Sequence, residues 1–97
     1  MRRGTTSTGV RYEYDEKRLD DMRFVDVLTV VLDPDATLLQ KCSSVSTLIG
    51  MLLGPDLKAQ LYEHIGQRFD GRVPRAELEK ALEEIMQDSG AESELKN

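Results

Sequence analysis

The stretch Gly54–Met86, GPDLKAQLYEHIGQRFDGRVPRAELEKALEEIM, reads as two amphipathic helices joined by one tight turn. Gly54-Pro55-Asp56 opens the first helix. Proline suits a first helical turn, where its missing N–H would have had no partner. Asp56 places a carboxylate near the positive end of the helix dipole. Leu57, Leu61 and Ile65 recur every four residues and form one apolar stripe. Asp70-Gly71 ends the helix, since glycine takes a left-handed conformation at no steric cost. Val73-Pro74 restarts the chain, and Leu78, Leu82 and Ile85, with Ala81 beside them, make the second stripe. So short a connection makes the helices neighbours, each covering the other's stripe.

Working outward, Val45–Leu53 (VSTLIGMLL) is the most apolar neighbour. On a helix Val45, Leu48, Ile49, Leu52 and Leu53 span an arc of roughly 140°, and Met51 widens it. One partner helix cannot cover that arc. Most of it is expected to be core. Val45, Leu48, Ile49, Met51 and Leu52 are the candidate partner-binding residues, with Leu48 and Met51 at the exposed edge. A short helix over 36–42 is expected before it, broken by Ser43-Ser44, with Asp33-Pro34-Asp35 as turn and N-cap.

Met22–Leu32 (MRFVDVLTVVL) is ambiguous from its residues. Four valines, a threonine and a phenylalanine favour a strand. A helix would carry apolar residues almost all round and would need burial on most sides. Val10–Tyr14 alternates in the manner of a short half-buried strand, with no strong hairpin partner after it. Asp15 can cap a helical turn through Leu19. Met1–Gly9 reads as a flexible arm, 10–88 as one helical domain, and 89–97 as a disordered acidic tail.

The 97 residues carry 13 basic and 18 acidic side chains, a net charge of −5. Seven acids against two lysines between Glu77 and Asn97 account for all of it. A nucleic-acid binder would show a basic patch instead, so no nucleic-acid partner is expected. No apolar run reaches the ~18–20 residues of a membrane span, and no apolar signal core follows Arg2-Arg3. The single cysteine, Cys42, fits a reducing compartment.

Site chemistry is absent from the pattern. Gln67–Glu77 looks like the second half of a calcium loop, but Gly66 and Arg68 stand where oxygen ligands belong. His64 and Cys42, one of each, cannot build a structural zinc site. No catalytic motif or phosphate loop is present, and neither enzyme activity nor a cofactor is expected.

Residues 7–88 resemble the tail assembly chaperones of long-tailed bacteriophages and prophages, encoded just before the tape-measure protein. The features carrying the resemblance are Thr6-Ser7-Thr8-Gly9 leading into Val10–Asp15, then Arg18–Met22 and Met51–Gly54. The most specific are Leu61–His64 and Asp70–Pro74 with the amphipathic helix after them. The resemblance implies a mainly α bundle of about four helices with a short N-terminal strand and flexible termini, and a helix over 22–32. It implies a non-enzymatic protein that coats the tape-measure protein in the host bacterial cytoplasm and is absent from the mature virion. The expected partners are the tape-measure protein, further copies of the chain and the tail-tube protein. Two rival readings come from other classes. A small helix–turn–helix DNA-binding regulator would need a basic recognition helix, whereas Arg75–Met86 is acidic after its first residue. A non-calcium EF-hand-like adaptor is the other.

Overall fold

The computed structural model describes residues 1–88, so the expected acidic tail over 89–97 lies outside the described residues. Strands β1 (Arg2–Thr5) and β2 (Arg11–Tyr14) lead into a 3₁₀ turn (Glu16–Asp20). Helices α1 (Met22–Leu32), α2 (Leu38–Arg68) and α3 (Arg75–Asp88) follow. The chain is mainly helical with a two-stranded sheet. It has three helices rather than about four, and the longest of them is folded into two arms.

The count is lower because Ser43-Ser44 does not break the chain. Thr37 caps α2 with a full capping box: its hydroxyl accepts from Gln40 N–H at 3.1 Å, and Gln40 Oε1 accepts from Thr37 N–H at 2.8 Å. Two orphan donors are satisfied at once. The helix then runs through the serines. The N-cap is therefore Thr37, not a residue of the Asp33-Pro34-Asp35 turn. Helix α2 is interrupted at Gly54, at φ +84° and ψ 168°, a region that only glycine occupies without strain. There α2 folds back on itself. Tyr62 Oη and Lys58 Nζ both reach Ser46 Oγ, at 3.0 and 2.9 Å. In a straight helix residues sixteen apart would be about 24 Å distant. The arms 38–53 and 55–68 thus face each other.

Arm 55–68 ends as a Schellman motif. Gly71 N–H reaches back to Gly66 C=O at 2.7 Å, and both Asp70 (φ +55°) and Gly71 (φ +87°) are left-handed. The chain turns into α3, whose first backbone bonds are accepted by the Pro74 carbonyl. Leu61 and Ile65 on one side and Leu78, Ala81, Leu82 and Ile85 on the other are all buried, as their spacing predicts.

Residues 2–5 are not a flexible arm. They pair antiparallel with β2 in the register Arg2↔Tyr14, Arg3↔Glu13, Gly4↔Tyr12, Thr5↔Arg11. So β2 does have a hairpin partner, and it precedes the strand. Thr6-Ser7-Thr8-Gly9 is the hairpin turn. Gly9 N–H donates to Thr6 C=O at 3.0 Å, and Gly9 sits at φ +100°. The alternation in β2 points Tyr12 and Tyr14 inward, where their rings stack at 6.1 Å. Tyr14 Oη donates to Ile85 C=O at 3.2 Å, and the Ser7 amide donates to Glu84 Oε2 at 3.1 Å. The hairpin is thereby seated on the last turns of α3.

Met22–Leu32 is a helix, with no trace of the strand alternative. Asp21 caps it, accepting from Arg23 N–H at 2.9 Å. The valines cost about 0.5 kcal/mol each in helix propensity. Packing of Phe24, Val27, Leu28 and Val31 on the core offsets that loss. Asp15 caps the preceding 3₁₀ turn, as expected, accepting from Lys17 N–H at 3.0 Å.

Candidate functional site

Arm 38–53 is the centre of the domain. Val45, Leu48, Ile49 and Leu52 are each 0% exposed. The expectation that Leu48 lies on an exposed edge is therefore corrected: it is sealed within the core cluster, so no partner can reach it. Met51 is half-buried and packs against the core rather than standing out from it. The five candidate partner-binding residues are brought together, but inward. The end of this arm is further secured by Arg18, whose guanidinium donates to the carbonyls of Met51 and Leu52 at 2.9 and 3.1 Å. Those carbonyls are orphaned by the break at Gly54, and a cation suits a helix C-terminus.

The accessible apolar surface is elsewhere. Leu32 is 71% exposed, Leu38 65% and Leu39 79%. They flank the corner between α1 and α2, in which Asp35 N–H donates to Asp33 Oδ1 at 2.9 Å. The capping box of Thr37 and Gln40 holds the start of α2. Three leucines thus stand in water on a braced corner, which folding alone does not explain. Met22 at the other end of α1 is 66% exposed. Sequence reasoning missed this surface. The available signals were the Thr37-Leu38-Leu39-Gln40 capping box and the all-round apolar pattern of 22–32.

The other candidates resolve into structural roles. Glu77, the residue that would close a calcium loop, lies 3.6 Å from the Arg68 guanidinium. Arg68 also stacks over Phe69, 5.4 Å from the ring centroid. His64 is half-buried, and its Nε2 has no hydrogen-bond partner among the described residues. An open depression between the hairpin and arm 55–68 is lined by Arg3, Gly4, Thr5, Arg11, Tyr12, Glu13, Leu57 and Gln60. Its one carboxylate, Glu13, is paired with Arg3 at 3.1 Å. On α3, Arg75 pairs with Glu79 one turn on. No helix among the described residues is long and apolar enough to cross a membrane.

Comparison with family models, with curated proteins and with solved structures gives no match.

Proposed function

We propose that this protein is a non-enzymatic phage tail assembly chaperone that binds the tape-measure protein and keeps it soluble until the tail tube forms around it. The observation that carries the reading is the braced corner bearing Leu32, Leu38 and Leu39 in water. A holding chaperone needs apolar surface that is available before its client arrives. A surface on rigid, capped helix ends meets that need without the ordering cost of a floppy segment. The resemblance carried by Arg18–Met22, Met51–Gly54, Leu61–His64 and Asp70–Pro74 supports it. Those motifs fall at structurally decisive points: the Arg18 cap, the Gly54 fold-back and the left-handed Asp70-Gly71 turn.

Co-expression with the tape-measure protein tests the reading. The expected result is a soluble complex recovered on either partner's tag, weakened when Leu38 and Leu39 are both changed to serine. A tape-measure protein that aggregates equally with and without the chain, and is never retained by it, overturns the reading.

A further inference from the structure

Helix α1 carries a second apolar stripe that the domain leaves uncovered. Phe24, Val27, Leu28 and Val31 pack on the core. Met22, Val25, Thr29 and Leu32 do not. Their spacing of three, four and three residues places them on one face, the spacing of a helix seam that meets another helix. Met22, Thr29 and Leu32 are exposed and Val25 is half-buried. The Thr29 hydroxyl donates to the Asp26 carbonyl of its own helix at 2.7 Å. Its hydrogen-bonding need is thus met within the helix, which suits it to an apolar seam. At 1.5 Å per residue the seam is about 16 Å long, three turns of helix.

The rim of the seam is acidic. Asp26 follows Val25 and Asp33 follows Leu32, so both flank the same edge, while Asp21 stands at the N-terminal end of the other. Among the described residues neither Asp26 nor Asp33 is in an ion pair. Between Arg18 and Lys41 the one basic residue is Arg23, which lies roughly 140° round the helix from the seam.

We propose that this seam docks an amphipathic helix of another protein whose apolar stripe is edged with lysine or arginine. Charge selects that occupant. In an antiparallel pair of copies the Asp26–Asp33 edge faces itself, and a parallel pair aligns two helix dipoles and sets Asp26 of one copy beside Asp21 of the other. Nucleic acid and anionic membrane surfaces are repelled by the same aspartates. A basic-edged helix satisfies both the seam and its rim. The inference rests on the chaperone reading above in taking this helix to belong to the client.

The test uses the full chain and two designed helical peptides of about three heptads. Both have leucine along the seam; one has lysine and the other glutamate at the flanking positions. The lysine peptide should shift amide resonances within 22–32 and bind more weakly as salt rises. The glutamate peptide should bind at least about tenfold more weakly. Val25→Asp should lower lysine-peptide affinity at least about tenfold. Should that variant not fold, Asp26→Lys decides, since Asp26 is exposed and supports no structural contact by its side chain. It should narrow the preference for the lysine peptide severalfold. Equal binding of the two peptides, shifts centred outside α1, or a preference unmoved by Asp26→Lys overturns the proposal, as does self-association of the free chain through α1. A lysine peptide bound as expected by a chain that ignores the tape-measure protein leaves the seam standing and removes the chaperone reading. A tape-measure protein retained equally by wild type, Val25→Asp and Asp26→Lys does the reverse.

Discussion

Helix α1 and arm 38–53 of α2 are built from similar residues and end in opposite situations. Both are rich in valine and leucine, and both carry apolar side chains over much of their circumference. In arm 38–53 Val45, Leu48, Ile49 and Leu52 are sealed, whereas in α1 only Phe24 is buried. The difference lies in position rather than in composition. Arm 38–53 belongs to the helix on which α1, the 3₁₀ turn, β2 and α3 all pack, and the returning arm 55–68 faces it. α1 is an outer layer that packs on α2 and the 3₁₀ turn and turns its remaining faces to water. Apolar content tells how much surface a helix would bury if it could; the number of neighbours tells how much it does.

That contrast is broken most severely by charge. Leu48→Asp would set an unpaired carboxylate in the middle of the core, a cost beyond the total stability of a domain this size. Circular dichroism should show no folded chain; a cooperative melt near the wild-type temperature would mean that arm 38–53 is not central. Next comes Leu61→Ala, which empties space between arm 55–68 and its neighbours and should cost about 2–5 kcal/mol in denaturant unfolding. A loss under about 0.5 kcal/mol would place the buried face of that arm elsewhere. Gly54→Ala probes the fold-back that gives arm 38–53 its extra neighbour. A Cβ there meets nothing within 4 Å, so the cost is conformational alone. It should be about 1–3 kcal/mol. An unchanged melt would show that the chain turns without a left-handed residue. Smallest is Leu39→Asp, at a leucine already in water. Stability should stay within about 0.5 kcal/mol of wild type. A larger loss would show that the corner is part of the core and not a free surface.

The sequence made the two stripes of Gly54–Met86 legible because helical periodicity is local, and the spacing of Leu61, Ile65, Leu78, Leu82 and Ile85 states which face is buried. The turn chemistry of Gly54 and Asp70-Gly71 was equally local. What stayed hidden depends on partners far along the chain. Arg2–Thr5 has no apolar alternation and is a strand because β2 follows it across a turn closed by Gly9. Val45–Leu52 was readable as apolar, but whether its arc faced in or out depended on how many elements would gather round it. The exposed corner escaped because Leu38 and Leu39 look like the start of one more buried helix. Leu38 shares a face with Val45 and Leu52, yet stands in water where they are sealed. The Thr37–Gln40 capping box was present in the residues, and the more conspicuous aspartates around Pro34 drew the N-cap assignment away from it.

The seating of the hairpin on α3 has a consequence for the order in which the protein can be completed on the ribosome. Tyr12 and Tyr14 are among the first aromatic side chains to emerge, yet the carbonyl that receives the Tyr14 hydroxyl belongs to Ile85, and the carboxylate that receives the Ser7 amide belongs to Glu84. Helices α1 and α2 can form as they appear, because their bonds are local. Strand β2 can already lie against α2, but these two bonds must wait until the last helix has been synthesised. A nascent protein stalled before α3 would lack the two bonds that join the oldest and youngest parts of the described chain.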